Sequence, residues 1–149
     1  MVMTLVPCEE LDDIEEIQLR EHVQFAKQSA ESLLLGNSAA CQALSANLMD
    51  TVLNAEFGTA DRGAIVSQKS RFAFDDHSFR IAMVLGPIWA AHGTYSPSAG
   101  DRIPTTFSRH ASAHGVSRRQ YSRINATLSL MHVTALIKML DVDFEWSAT

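Results

Sequence analysis

The last long helical segment, about residues 117–140, most constrains what this chain can fold into. Ser117 and Gln120 have the spacing of a capping box, which marks a helix start. Apolar residues then occupy both sides of the predicted helix, Ile124, Leu128 and Met131 on one and Leu130, Val133 and Ile137 nearer the other. A helix that is apolar on two sides must be covered on two sides. In so small a chain we expect a second copy to supply one cover, which predicts a homodimer.

Three further stretches have helical patterns, at about residues 9–35, 38–57 and 76–92. Gly36 and Gly58 are positioned to end the first two, and Asp75 or Asp76 can cap the third. Gly86-Pro87 predicts a kink or restart within the third helix, because proline lacks a backbone donor. Residues 58–74 are interpreted from their composition as a loop that could include a short helix, and residues 96–104 as a second loop. The predicted fold is all-α, a four- to five-helix bundle forming one domain over residues 1–149.

Composition indicates a soluble cytoplasmic protein. No apolar run approaches the roughly 18 residues of a membrane-spanning helix, and the first residues lack the basic flank of a secretory signal. Cys8 and Cys41 have no metal-type spacing, so we expect buried free thiols in a reducing compartment. We expect no membrane association and no cofactor.

Charge is distributed unevenly along the chain. Residues 1–61 carry two basic and eleven acidic side chains, whereas residues 62–123 carry nine basic and three acidic ones. A local basic surface attracts phosphate even when the net charge is −5. The alternative is that the two halves simply neutralise each other. Charge alone therefore permits a nucleic-acid partner without requiring one.

The segment FSRHASAHG, residues 107–115, carries the side chains best suited to chemistry. In a helix, His110 and His114 share a face because they are four residues apart. Arg109 supplies a permanent forked cation suited to phosphate, and histidine exchanges protons near neutral pH. Such a set can cleave a phosphodiester that carries its own 2′-hydroxyl nucleophile, since one group moves a proton and another stabilises phosphoryl charge.

RHASAH resembles the Arg-x4–6-His motif of the HEPN superfamily, and FSRHASAHG followed by a largely apolar helix is similar to its "RHxxxHG" version. The likeness is specific over about residues 104–140; over residues 9–92 only the helical layout agrees. It implies an all-helical dimer that acts as a metal-independent endoribonuclease, often in toxin–antitoxin or phage-defence systems with a cognate antitoxin. Arg109 would bind the phosphate, His114 would be the acid/base and His110 would orient either group or the RNA. Some members of the superfamily are inactive binding or assembly modules, which is the alternative function.

Arg118, Arg119 and Arg123 follow the motif and are candidate RNA-phosphate contacts. In the first turns of a helix running from residue 117, they would oppose the helix dipole. A bound anion would remove that conflict. The alternative is that these long side chains reach solvent or pair with the acidic first helix.

Other interpretations of single residues compete with these. His110 and His114 also have the spacing of a helical metal pair, but a zinc protease would need glutamate where Ala111 stands, and His92 or His77 would have to be a third ligand. We therefore predict no metal. Trp89 and Tyr95 could stack bases, although core packing is the commoner role for such aromatic residues.

Overall fold

The computed structural model describes residues 11–67 and 79–142, and within these ranges the chain is all-helical, with no β-strand. This confirms the predicted all-α class. The α-helices are α1 (Arg20–Leu34), α2 (Ser38–Val66), α3 (Phe79–Ala91), α4 (Arg109–His114) and α5 (Arg123–Asp141). Two single turns of 3₁₀ helix, Ile17–Leu19 and Pro97–Ala99, precede α1 and follow α3.

Helix α2 is the centre of the bundle and packs against α1, α3, α4 and α5. Helix α5 packs against α1, α2 and α3. Their shared core is closed to solvent, with the largest contributions from Met49, Val52 and Leu53 of α2, Leu85 and Ile88 of α3, and Val133, Leu136 and Ile137 of α5. This core fixes the face of α2 on which the short helix α4 lies.

The α1–α2 contact includes a small polar seam. Ser29 Oγ donates to the backbone oxygen of Cys41 at 2.9 Å and lies 2.6 Å from Ser45 Oγ. Cys41 is fully buried as a free thiol, as predicted, and burial raises its pKa. Cys8 lies outside the described residues.

The first α-helix begins later than predicted, at Arg20 instead of about residue 9. Asp12, Asp13, Glu15 and Glu16 therefore lie before this helix and not in its first turn. The backbone N–H groups of Glu15 and Glu16 instead donate to Asp141 Oδ1, at 2.9 and 3.3 Å. A carboxylate at the end of α5 thus ties down the segment before α1, a long-range contact that helix propensity could not reveal.

Regular helical geometry stops at Gly58, as predicted, but residues 59–66 form a second helical stretch, so the predicted loop begins with helix. Gly58 has φ 68° and ψ 178°, after which the helix resumes and runs to Val66. This combination of angles is essentially restricted to glycine. Gly58 therefore interrupts the helix, and the interruption is a bend that changes the direction of the helix.

Helix α3 continues through Pro87, so of the predicted kink or restart the restart does not occur. Pro87 is exposed, as is Met83 four residues earlier. We attribute the continuity to this exposure, because water can bind the carbonyl group that a proline leaves without a helical donor. The helix ends beside His92, as predicted. Asp75 and Asp76, the predicted cap, lie outside the described residues.

Helix α5 begins at Arg123, not at Ser117, which corrects the predicted start. Its cap is Ser122, whose side chain accepts the backbone N–H of Asn125 at 3.2 Å. Ser117 does accept the N–H of Gln120, at 3.2 Å. The Gln120 side chain, however, points into the protein, so the capping pair forms only one half of the expected box and closes a turn.

The two sides of α5 have different environments. Val133, Leu136 and Ile137 are fully buried, whereas Ile124 is 73% and Met131 58% exposed. One apolar side is therefore exposed at Ile124 and Met131, whereas Leu128 on the same side packs against the core. No helix in those residues is both long and apolar enough to cross a membrane.

Candidate functional site

The motif residues form a helix of their own, α4. Ser108 caps it by accepting the backbone N–H of Ala111 at 3.2 Å, and the extended backbone of Gly115 ends it. As predicted, His110 and His114 share a face, and their ring centroids are 5.7 Å apart. His114 is exposed and His110 half-buried. The two imidazoles therefore lie side by side, with one open to solvent.

Gln120 anchors the start of α4. This side chain is 1% exposed, and its Oε1 accepts the backbone N–H of Ser108 at 3.0 Å. Its Nε2 donates to the backbone oxygens of Pro104 and Thr106, at 3.0 and 3.1 Å. One buried amide thus binds three backbone groups of residues 104–108, and among these the buried Ser108 N–H group would be costly to leave without a partner. Sequence reasoning assigned Gln120 to a helix cap and missed this function.

A second set of contacts fixes the direction of α4. Gln42, near the start of α2, donates to Ser112 Oγ at 2.8 Å, while Tyr121 Oη donates to the backbone oxygen of Ser112 at 2.5 Å. At the other end of α4, Arg109 contacts Asp50, eight residues further along α2. Helix α4 therefore lies antiparallel along α2 and is fixed at both ends.

Asp50 holds Arg109. The Arg109 guanidinium donates to Asp50 Oδ2 at 2.7 Å, and the two side chains are 20% and 18% exposed. Sequence reasoning missed Asp50, although a signal existed: it is the one charged residue between Glu31 and Glu56. A lone carboxylate in so uncharged a helical stretch needs a cationic partner when it is partly buried.

Two further groups converge on the same carboxylate. Arg62, from the part of α2 beyond the bend, donates to Asp50 Oδ1 at 2.5 Å. His92 is buried, with Nε2 at 3.8 Å from the same oxygen and Nδ1 at 2.7 Å from the backbone oxygen of Ile88. The His92 ring lowers the pKa of Asp50 most; Arg62 and Arg109 lower it further, while burial works in the opposite direction. Asp50 is therefore firmly ionised.

The histidine pair lies in cationic surroundings. The pKa of His110 is lowered first by burial, then by the charges of Arg109 and His114. A lowered pKa keeps this imidazole neutral at neutral pH. The His110 ring can therefore accept a proton beside a fixed guanidinium, the minimum set for acid–base chemistry on a phosphate ester.

Arg118, Arg119 and Arg123 are all exposed. Arg118 and Arg119 lie in the turn between α4 and α5, which corrects their predicted placement in the first turns of the last helix. Only Arg123 lies in such a turn, as the first residue of α5. The dipole argument for an anion therefore applies to Arg123 alone.

Other candidate residues have different environments. Within residues 11–67 and 79–142, no group of three or more histidine, cysteine, aspartate or glutamate side chains is arranged to hold a metal ion. His77 lies outside these ranges. Trp89 packs against the core, and its Nε1 donates to the backbone oxygen of Ser67 at 2.9 Å, which agrees with the packing interpretation. Tyr95 lines a polar groove of about 400 Å³ with Asp101, Arg102 and Ser108.

Comparisons with protein-family models, curated proteins and solved structures find no match to this chain.

Proposed function

We propose that this protein is an HEPN-like RNA-binding protein that cleaves RNA without a metal ion. The observation that carries the proposal is the arrangement on α4, where a guanidinium held by Asp50 adjoins two neighbouring imidazoles. The sequence resemblance of RHASAH to the Arg-x4–6-His motif supports the same function. Toxin–antitoxin or phage-defence systems are the setting that the resemblance suggests.

Each side chain has a distinct task in this proposal. Arg109 stabilises the negative charge that develops on the phosphoryl oxygens. As the 2′-oxygen bonds to phosphorus, the bond from phosphorus to the 5′-oxygen breaks. The histidine pair moves the protons: the neutral His110 orients the 2′-hydroxyl group or accepts its proton, and His114, which is exposed, exchanges a proton with the reacting groups, including the leaving 5′-oxygen. Because that hydroxyl group is already next to the phosphate it attacks, the reaction needs no metal-activated water.

The RNA chain would extend from α4 across the turn that follows it. Arg118, Arg119 and Arg123 are exposed there, and exposed arginines contact phosphates without reading sequence. We further propose a homodimer that buries the exposed apolar side of α5, which includes Ile124 and Met131.

The Asp50–Arg109 ion pair also favours a second candidate function, a non-catalytic helical module that binds a protein partner such as an antitoxin. An arginine whose charge is already paired can serve to hold α4 in place. In that case the exposed side of α5 would be the partner surface.

The decisive experiment incubates the purified protein with a pool of random-sequence RNA in the presence of a chelator. We expect cleavage products that end in a 2′,3′-cyclic phosphate, and no cleavage of the matching DNA pool, which lacks the 2′-hydroxyl group. Cleavage that requires a divalent ion would overturn the mechanism. Intact RNA under all conditions would favour the protein-binding module.

A further inference from the structure

Arg62 reaches the site only because α2 bends. Arg62 and Asp50 are twelve residues apart on opposite sides of the bend at Gly58, and a straight helix would place their Cα atoms about 18 Å apart. Their side chains nevertheless meet at 2.5 Å. The bend at Gly58 turns the last part of α2 back towards Asp50, so the position of Arg62 depends on that one backbone conformation.

Gly58 is required for its backbone angles and not for space. A Cβ atom added at this position would meet nothing within 4 Å, while its φ of 68° and ψ of 178° belong to a region that is essentially restricted to glycine. The structural effect of Gly58 is therefore to bring Arg62 into contact with Asp50.

The charges at this point do not cancel. One carboxylate, Asp50, faces two guanidinium groups, those of Arg62 and Arg109, so the three groups together carry one excess positive charge. Asp50 has two oxygens, whereas each arginine has five N–H donors. The Nε of Arg62 is buried and has no hydrogen-bond partner among the described residues. Unused donors and excess charge in a partly buried place favour an anionic ligand.

We propose that Arg62 and Arg109 form a paired guanidinium site for a phosphate group, with Asp50 fixing the two side chains relative to each other. The side chains are 25% and 20% exposed, so each is held in place by the protein and keeps some contact with solvent. The identification of this phosphate as one of an RNA chain rests on the proposed function. Arg62 then binds the same phosphate group as Arg109, from a helix that lies outside the sequence motif.

The first test uses inorganic phosphate, titrated at constant ionic strength and followed by nuclear magnetic resonance of the arginine Nε–H groups. We expect phosphate to shift the Arg62 and Arg109 signals together, with one common affinity. Arg62→Gln should weaken phosphate binding at least about tenfold, the usual effect of losing a charge-assisted hydrogen bond. Arg62→Lys should restore part of this loss, because it keeps the charge but not the fork.

Arg20→Gln is the matched control, since Arg20 is exposed on α1 and the substitution removes the same charge. It should leave phosphate affinity unchanged. The wild-type titration needs no variant, so it decides the proposal even if Arg62→Gln fails to fold. A phosphate-dependent shift of Arg109 without Arg62, no shift of either, or full affinity in folded Arg62→Gln would overturn the proposal.

Competition with a 2′-O-methyl RNA, which cannot be cleaved, separates this inference from the proposed function. If the RNA displaces phosphate and reproduces the Arg62 shift, both are supported. If phosphate binds but RNA neither competes nor is cleaved, the arginine pair stands and the ribonuclease proposal fails. If wild-type protein cleaves RNA while the Arg62 signal stays unchanged, the inference alone is overturned.

Discussion

Asp50 and Arg109 are 59 positions apart in the sequence, yet their side chains form an ion pair of 2.7 Å that joins the central helix to the motif helix. The same carboxylate accepts a hydrogen bond from Arg62. The orientation of the motif arginine is therefore set by a residue outside the motif. The contribution of this ion pair to the free energy of unfolding can therefore be measured without knowing the substrate.

Asp50→Asn should lower the free energy of unfolding at pH 7 by about 1–3 kcal/mol, less than for a fully buried pair because the side chains are partly solvated. The pKa of Asp50 is lower folded than unfolded, so its contribution is complete above about pH 4 and is lost as pH falls below that value. Urea unfolding of both proteins at pH 7 and pH 3 measures this. The difference in unfolding free energy between wild type and Asp50→Asn should be smaller at pH 3 than at pH 7. An equal difference at the two pH values would contradict the lowered pKa of Asp50.

Gln120→Ala should destabilise the protein by about 2–4 kcal/mol, because it leaves the buried Ser108 N–H group and two partly buried carbonyl groups without their partner. Chemical unfolding measures the loss. Arg118→Gln, in the same turn but exposed, is the control and should stay within about 0.5 kcal/mol of wild type. A small effect of Gln120→Ala would mean that water replaces the amide and that α4 is anchored elsewhere.

His114→Ala should reduce the rate of RNA cleavage by about two to four orders of magnitude, the usual effect of losing acid–base catalysis. Its affinity for uncleavable RNA should change little, because proton transfer matters to the transition state. Single-turnover cleavage and fluorescence anisotropy measure the two quantities. His22→Ala, on α1, is the control and should retain full activity. Equal losses of rate and affinity would instead make His114 a binding residue.

The double variant Arg118→Gln/Arg119→Gln should weaken RNA binding without unfolding the protein. Each phosphate contact with single-stranded RNA contributes about 0.7 to the slope of log affinity against log salt concentration. Anisotropy titrations at several salt concentrations should therefore give a slope about 1.4 smaller than that of wild type. Arg20→Gln should keep the wild-type slope. A wild-type affinity that does not vary with salt would remove the case for phosphate contacts.

Met131→Glu should convert a dimer into a monomer, because it places a charge on the exposed apolar side of α5. Light scattering of the wild-type protein should give about twice the chain mass of 16.4 kDa, and that of the variant the chain mass itself. Glu31→Gln, at an exposed position of α1, should leave the mass unchanged. A wild-type mass near 16.4 kDa would show that α5 has no self-association role.

Local spacing determined which motif side chains lie together once the segment is helical. Four-residue spacing brings His110 and His114 together in any α-helix, and Gly115 ends that helix as its sequence indicates. The two apolar sides of α5 were also visible from the order of its residues. These features depend on helix geometry over a few residues, so tertiary packing did not alter them.

Only the tertiary structure determined what surrounds Arg109. Asp50, Arg62 and His92 come together through the packing of α2 against α4, its bend at Gly58 and the end of α3. A positive-φ glycine can end a helix or redirect one, and the contacts made beyond it decide which. Gln120 followed the same rule: its spacing from Ser117 suited a cap, but the backbone of residues 104–108 offered its buried amide three partners, one of them the buried Ser108 N–H group. The long-range hydrogen bonds outweighed the local capping preference. A buried polar group without a partner costs more free energy than one hydrogen bond of a capping box contributes.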